Sequence, residues 1–252
     1  MLKKRSFLRL ALLWAALQLG GCEQATETEP AFVYPAQALD ARYELLFNDT
    51  LVGTALFSID VDAHGNYRID AFAAPAGKMQ REVPHEVLES SHGIITADDI
   101  RPRAFEESVL HDTDIQLASL AFDWENRRLR ITGLEGDRDI SLLPGTQDRL
   151  SYLLEAHRLA ARGDGKRLIQ VASTEASEAA HLEVVGSEQI EVPYGRIDAV
   201  SIRRVTPDSD ETRQLWFAPN LLPLPLRALQ LRDDNEVEMQ LVDVSRRSID
   251  LH

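Results

Sequence analysis

Cysteine is nearly absent from this chain, whose 252 residues contain only Cys22. A single thiol cannot form an internal disulfide, and it cannot supply the thiolates of a cysteine metal site. Basic residues are also outnumbered, because 27 Lys and Arg stand against 41 Asp and Glu, a net charge of −14. Such a surface repels nucleic acid and anionic lipid headgroups, and no basic stripe offsets it. Nucleic-acid binding is therefore excluded.

The N-terminal segment lacks an apolar run long enough to cross a membrane, which takes about 20 residues. The apolar segment 10–19 is short, and it follows a stretch, 1–9, that has four basic side chains and no acid. Gly20 and Gly21 come next, directly before Cys22. A charged start, a short apolar core and small residues at its end are typical of a secretory signal peptide.

The residues around the lone cysteine, Leu19-Gly20-Gly21-Cys22, resemble the lipobox of bacterial lipoproteins. That resemblance implies that residues 1–21 are removed as a signal peptide, that a diacylglycerol is attached to the sulfur of Cys22 and that its new amino group is acylated. Two or more acyl chains anchor a protein stably to a membrane, whereas one binds only marginally. The next residue is Glu23 rather than an aspartate, which favours the inner leaflet of the outer membrane, facing the periplasm. The alternative is an ordinary signal peptide with a chance cysteine.

Removal of the signal peptide would leave 23 basic residues against 41 acidic ones, a net charge of −18. Segment 23–30, which follows the lipobox, is polar and has no large apolar side chain. Such a composition cannot bury enough apolar surface to fold, so we predict a flexible tether over 22–38.

Motifs of several enzyme classes are missing, since the sequence has no GxSxG, HExxH, glycine-rich phosphate loop or EF-hand loop. Ser151 and His157 are six residues apart, which on a helix turns them about 120° away from each other, so they do not predict a catalytic pair. Segment 85–92 contains two histidines and two glutamates, but strand alternation puts His85 and His92 on opposite faces. We predict no metal site, no cofactor and no enzymatic activity.

Period-two alternation dominates the rest of the chain and predicts strands. Segments 43–47, 55–61 and 67–71 alternate apolar with polar side chains, and turn signals at 48–50 and 63–66 separate them. They predict a three-stranded antiparallel meander, and further alternating segments bring the number of strands to ten or more. The predicted fold class is mainly β, an antiparallel curved sheet or open half-barrel.

The length of the strand-rich region is compatible with one domain, because all-β domains of about 200 residues are common. We found no convincing repeat and no long linker in it. The sequence therefore predicts a single β-rich periplasmic domain over 39–245, followed by a C-terminal tail over 246–252.

One segment follows a helical period instead. Thr146 is a suitable helix cap and Gly163 a suitable stop, so we predict an amphipathic helix over 147–162 that packs on the curved sheet. Its apolar face has the spacing i, i+3, i+4, i+7 and i+11, with Leu150, Leu153, Leu154, His157 and Ala161.

Four blocks of sequence, spaced in order, resemble a family of exported bacterial proteins known as domain-of-unknown-function family 3108. They are Phe122-Asp123-Trp124, Leu143–Asp148 with Leu150-Ser151-Tyr152, Gly186-Ser187-Glu188 through Pro193-Tyr194-Gly195, and Trp216–Pro219 before Leu224-Pro225. The resemblance implies a periplasmic, β-dominated domain, and it brings no established activity or ligand. The sheet-plus-helix plan is also similar to the half-barrel of lipoprotein carriers, which hold acyl chains between sheet and helix. A shared fold does not transfer function.

Two hypotheses of function remain open. In the first, the helix closes a cavity for an acyl chain or another hydrophobic ligand, although the same residues would equally form a packed core. In the second, the domain is an interaction module that supports the assembly of envelope proteins or polysaccharide. Hydrolysis of envelope material is a weaker third. The ligand-binding residues predicted by the first hypothesis are Phe122, Trp124, Leu150, Leu153, Leu154 and His157.

Overall fold

A computed structural model of the chain describes residues 34–78, 85–111, 114–134, 136–207, 209 and 211–248. Cys22, the predicted signal peptide and most of the predicted tether lie outside the described residues. The described part contains fifteen strands and one helix. In chain order they are β1 (Gln37–Phe47), β2 (Thr50–Val61), β3 (Asn66–Pro75), β4 (His85–Ile95), β5 (Ile100–His111), β6 (Asp114–Asp123), β7 (Arg128–Thr132), β8 (Arg138–Ser141), β9 (Thr146–Gln147), α1 (Ser151–Arg162), β10 (Lys166–Ala172), β11 (Ser177–Val192), β12 (Gly195–Val205), β13 (Thr212–Phe217), β14 (Arg227–Arg232) and β15 (Asn235–Arg246).

The strands form one sheet in the order β8-β7-β6-β5-β4-β3-β2-β1-β15-β14-β13-β12-β11-β10-β9. The chain runs as a meander outwards from β1 to β8, and returns through β9 until β15 pairs with β1. Neighbouring strands are antiparallel except β9 and β10, which are parallel. The ends of the order, β8 and β9, do not pair with each other, so the described strands form an open sheet. The prediction of a mainly β fold with an open antiparallel sheet is confirmed.

The first hairpin shows how local sequence sets the register. Asn48 and Asp49 are the two residues between β1 and β2, and both have positive φ, 45° and 62°. Two-residue hairpins favour such turns, and asparagine and aspartate adopt positive φ more readily than other non-glycine residues. The turn leaves Tyr43 opposite Ala55 and places the apolar positions of both strands on one buried face.

The folded region begins earlier than the predicted boundary at residue 39. β1 starts at Gln37, and Tyr34 is already 5 % exposed, with its hydroxyl donating to the carbonyl oxygen of Leu154 at 2.5 Å. The predicted tether over 22–38 is therefore too long at its C-terminal end, because an aromatic side chain there finds a buried partner that the local composition does not reveal. At the other end, β15 runs to Arg246.

Helix α1 begins at Ser151, four residues after the predicted start, and ends at Gly163 as predicted. Thr146 and Gln147 are not helical, because they form β9 and pair with Gln170 and Val171 of β10. Gly163 has a φ of 80°, a left-handed conformation that suits glycine at a helix C-terminus.

Asp148, not Thr146, caps the helix. One carboxylate oxygen of Asp148 accepts hydrogen bonds from the backbone N–H groups of Leu150 and Ser151, both at 2.8 Å. Carboxylates satisfy the exposed N–H groups of a helix start well, since those groups carry partial positive charge.

The helix is buried on all sides, whereas its amphipathic pattern predicts that the polar side is exposed to solvent. Every residue from Ser151 to Ala160 is buried, including Glu155 and Arg158. The helix contacts β5 from one half of the sheet and β10 to β13 from the other. The curved sheet thus encloses α1. No helix in the described part of the chain has the length and apolarity needed to span a membrane.

Candidate functional site

The six residues predicted to line a ligand cavity lie in the hydrophobic core. Five of them are at most 6 % exposed, and Trp124 is partly buried against the same core. The rings of Phe122 and Trp124 stack with their centroids 6.3 Å apart, and the indole nitrogen of Trp124 donates to the carbonyl oxygen of Pro102 at 2.7 Å. Concavities of about 780 Å³ and 710 Å³ lie on the described surface, and none of the six residues lines either. The structure favours the filled-core alternative at the helix.

His157 is a hydrogen-bonded core residue. Its Nδ1 lies 2.9 Å from the hydroxyl of Tyr34, and its Nε2 lies 3.1 Å from the carbonyl oxygen of Pro219. Burial lowers the pKa of His157 to about 4, so the imidazole is neutral near pH 7.

Ser151 does not pair with His157. Its hydroxyl oxygen accepts the backbone N–H of Asp148 at 2.9 Å. The second carboxylate oxygen of Asp148 accepts from the hydroxyl of Ser91 at 2.7 Å, and Ser91 lies 3.3 Å from the hydroxyl of Tyr67. Burial raises the pKa of Asp148, and the hydrogen bonds from Ser151, Ser91 and Leu150 oppose that rise. This cluster is inaccessible to solvent and ties the helix start to β3 and β4.

A second buried polar cluster surrounds Glu155 and Arg158 of the helix. Glu155 is fully buried, and one of its oxygens lies 2.9 Å from Nε of Arg167 on β10. Arg158 is 1 % exposed and donates to the carbonyl oxygen of Thr96 at 3.1 Å. Burial raises the pKa of Glu155, and the positive charges of Arg158 and Arg167 oppose that rise. Sequence reasoning missed this cluster, because its partners come from distant strands and loops.

The histidine segment does not assemble a metal site in the described structure. His85 stacks on His111 of the neighbouring strand, with ring centroids 4.1 Å apart, and His92 is exposed. Among the described residues, no three His, Cys, Asp or Glu side chains are grouped so that they could hold a metal ion.

The clearest candidate for a binding surface lies on the outer face of the sheet, which is the face turned away from α1. Leu56, Phe72 and Leu88 are directly opposite one another on β2, β3 and β4, and the same row crosses Ser108 of β5 to Leu117 of β6. We call Leu56, Phe72, Leu88 and Leu117 the apolar row. Their exposed fractions are 44 %, 36 %, 54 % and 67 %. The row lies in the concavity of about 710 Å³.

Polar groups border the apolar row on one side. The next row of the outer face, one pleat along the strands, contains only hydroxyl and carboxylate side chains, and together these two rows supply most of the lining of the concavity. Contiguous exposed apolar side chains with a polar border mark binding sites on soluble proteins. The residues of the polar row are Ser58, Asp70, Ser90, Glu106 and Ser119.

Sequence reasoning did not identify the apolar row as a site. Leu56 falls at an outward position of the predicted second strand, where alternation favours a polar residue. That local mismatch was the only available signal, because the alignment of Leu56 with Leu88 and Leu117 depends on pairing between strands. Outward apolar residues are also common singly and carry no meaning until neighbours are known.

The comparisons with known proteins agree with the fold. A family model described as "Protein of unknown function (DUF3108)" matches residues 42–242. A crystal structure of a β-barrel-like protein of the domain of unknown function DUF1849 from Brucella abortus is similar, with a TM-score of 0.57 at 10 % identity, covering 86 % of this chain and 100 % of that one. A protein from Bacteroides fragilis described as exported and with a YmcC-like fold gives a TM-score of 0.35 at 10 % identity, covering 85 % of this chain and 99 % of that one. No curated protein matches the chain. The DUF1849 structure indicates a β-barrel-like fold, and the family model indicates no catalytic family.

Proposed function

The chain belongs to the DUF3108 family of proteins of unknown function, and we propose that its domain is a non-catalytic module that binds one acyl chain along the apolar row. In this proposal an acylated Cys22 holds the module at the inner leaflet of the outer membrane, facing the periplasm. The site lies on the outer face of β2 to β6 rather than under the helix. The apolar row, exposed in a concavity of about 710 Å³, is the observation that carries the proposal.

The shape of the row favours a long, narrow ligand. It crosses the five strands from β2 to β6, which at about 4.8 Å between neighbouring strands is a length of about 19 Å. It is narrow, because the next row along the strands is polar on one side; on the other side Ile115, which is 63 % exposed, widens it beside Leu117. An extended acyl chain has this shape, and covering the row would remove apolar surface from water, which is favourable. The volume also falls within the usual range for small-ligand sites, about 300 to 1,000 Å³.

A positive charge continues the row on β1. Arg42 is directly opposite Leu56, and among the described residues it forms an ion pair only with Asp243, an exposed one at 3.7 Å. Exposed pairs of this kind contribute little, so a ligand group can replace Asp243 at small cost. Arg42 therefore offers a partner for the carboxylate of a fatty acid whose tail lies along Leu56 and Phe72.

The proposed anchor keeps the module near its ligand. Tyr34 lies twelve positions after Cys22, and a chain of that length spans at most about 40 Å. A domain tethered this closely meets lipid at a high effective concentration, which strengthens a binding site of modest intrinsic affinity.

The first test is identification and titration of the ligand. The full chain is purified from cells and its extract is analysed by lipid mass spectrometry, and delipidated protein is titrated with a fluorescent fatty acid. We expect Leu88→Asn and Leu117→Asn each to weaken binding about tenfold, since each removes apolar contact worth roughly 1.5 kcal/mol. Leu168→Asn is the matched control, because Leu168 is 60 % exposed on β10, away from the row.

The outcomes separate the proposal from its alternatives. Absence of fatty-acid binding, or equal weakening by the Leu88 and Leu168 variants, would refute the acyl-chain site. A concentration-dependent dimer that Leu88→Asn abolishes would replace it with self-association through the row. A protein partner lost in the same variant would instead favour the interaction-module hypothesis. Arg42→Gln should reduce the preference for a fatty acid over the matching fatty alcohol.

A further inference from the structure

A second concavity, of about 780 Å³, is lined by three arginines and lies on the other half of the sheet. Arg204 is on β12, Arg213 on β13 and Arg232 at the end of β14. It shares no lining residue with the concavity that holds the apolar row. An inference about it therefore goes beyond the proposed function and does not depend on it.

Two of the arginines face each other. Arg204 and Arg213 are directly opposite in the pairing of β12 with β13. Side chains at such positions lie on the same face with their Cβ atoms about 5 Å apart, and like charges there repel each other. Arg204 is also 7 % exposed, so solvent screens this repulsion poorly.

Of the two arginines, only Arg213 forms an ion pair with a described residue. Arg213 forms an ion pair with Glu211, whose other oxygen accepts from the side-chain amide of Gln230 at 3.0 Å. Arg204 forms no ion pair or hydrogen bond with any described residue, and its buried Nε has no partner. Its guanidinium lies over the ring of Tyr152, 5.4 Å from the centroid, but a cation–π contact does not neutralise the charge.

A buried cation without a counter-charge is costly to the fold, and an anion bound beside it would relieve that cost. We propose that Arg204 and Arg213 bind a single phosphate group in this concavity. The planar guanidinium donates two parallel hydrogen bonds to an oxyanion, and two guanidinium groups facing the same space can hold a phosphate between them. Glu178 and Asp233 also line the concavity. Their charges oppose a polyanion, so the site suits one phosphate group rather than a nucleic acid.

The test measures the thermal stability of the full chain in inorganic phosphate and in chloride of equal ionic strength. A ligand that binds only the folded state raises Tm, and the rise grows with its concentration. We expect phosphate to raise the Tm of the wild-type protein and chloride not to. Arg204→Gln should abolish this rise, while Arg196→Gln should keep it. Arg196 is the matched control because it lies on the same strand, is exposed and pairs with Glu191.

The Tm of Arg204→Gln in the absence of phosphate shows whether this variant still folds. Because Arg204 has no partner, Arg204→Gln should unfold at or above the wild-type Tm when phosphate is absent. If this variant fails to fold, broadening of the 31P signal of phosphate by the wild-type protein, with chloride competition, still decides the question. Equal Tm shifts with phosphate and chloride, or a phosphate effect retained in Arg204→Gln, would overturn the proposal.

A second arm distinguishes free phosphate from the headgroup of a phospholipid. Protein lacking its acyl anchor is mixed with vesicles of phosphatidylglycerol and with vesicles of phosphatidylcholine at the same ionic strength. Binding of inorganic phosphate that depends on Arg204 assigns the site to free phosphate. Arg204-dependent binding to the phosphatidylglycerol vesicles alone assigns it to a headgroup. If neither ligand binds in an Arg204-dependent way, the site does not exist.

Discussion

The hydroxyl of Tyr34 lies 2.9 Å from Nδ1 of His157, although 123 positions separate the two residues in the chain. The same hydroxyl donates to the carbonyl oxygen of Leu154 at 2.5 Å, and the two rings have centroids 5.2 Å apart. The contact joins the first described residue to the enclosed helix. The residues just before β1 are therefore held by side-chain contacts inside the sheet as well as by strand pairing.

Tyr34→Phe tests this connection. The variant removes the hydroxyl and leaves the Leu154 carbonyl without this donor in a buried position, which costs about 1 to 3 kcal/mol of unfolding free energy. Urea unfolding followed by far-UV circular dichroism measures the change. Tyr194→Phe is the matched control, since Tyr194 is 40 % exposed and its loss should change stability by less than about 0.5 kcal/mol. Equal effects of the two variants would contradict a special role for the Tyr34 hydroxyl.

The buried imidazole of His157 predicts a loss of stability in acid. Its pKa in the folded protein, about 4, lies below the ordinary value of 6.5. Between these values the unfolded chain binds a proton at this residue and the folded chain does not, so stability falls as the pH falls from about 6.5 to 4. At about 1.4 kcal/mol per pKa unit, the full loss is about 3.5 kcal/mol. Below pH 4 this residue contributes no further loss.

The measurement is the unfolding free energy of the wild-type protein and of His157→Gln at a series of pH values. Asp148 and Glu155 have raised pKa values in the folded state and contribute to the pH dependence with the opposite sign. Because both carboxyls are present in both proteins, the difference between the two curves isolates His157. We expect that difference to change with pH only between about 4 and 6.5. A constant difference would show that His157 titrates normally.

The sheet was predictable because strand alternation is local. Each strand that packs one face on the core and exposes the other shows this in its own sequence, as β2 does from Ala55 to Val61. The existence of the helix was predictable for the same reason. Its start was not, because Thr146 and Gln147 become a strand only by pairing with β10, more than twenty residues later.

The burial of the helix's polar side could not be predicted from its own period. A helical pattern with polar residues opposite the apolar face is normally solvated on that side. Here Glu155 meets Arg167, and Arg158 meets the backbone of Thr96. These partners are fixed by the closing of the sheet around α1. The apolar row could not be predicted from any single strand either, because its residues become neighbours only when β2 to β6 pair in register.

The ion pair between Glu155 and Arg167 predicts strong coupling inside the fold. Glu155→Ala removes a buried carboxylate and leaves Arg158 without this counter-charge, while Arg167 keeps an ion pair with Asp99 at 3.7 Å; we expect a cost of about 3 kcal/mol. The double variant Glu155→Met with Arg167→Met should lose less than the sum of its two single variants, because neither Glu155 nor Arg167 is then left without the other. Denaturant unfolding of the four proteins gives the coupling free energy.

The exposed ion pair of Glu191 with Arg196 is the control for this cycle, since both side chains are well exposed, at 74 % and 64 %. Glu191→Ala should change stability by less than about 0.5 kcal/mol. A coupling free energy near zero for Glu155 and Arg167 would mean that Arg158 alone balances the buried carboxylate.

Gly93 predicts a strict steric requirement at the bulge between β4 and β5. A Cβ atom at this position would lie 2.2 Å from the carbonyl oxygen of Arg101 and 2.7 Å from Cα of Pro102, both of them backbone atoms that cannot rotate away. Gly93→Ala should therefore force the two strands apart and lower the unfolding free energy by about 2 kcal/mol, measured by urea unfolding. Gly133→Ala is the matched control, because its nearest neighbour would be the Cβ of Ala118 at 3.7 Å, an ordinary contact. Equal stability of the two variants would show that the strands at the bulge move apart without cost.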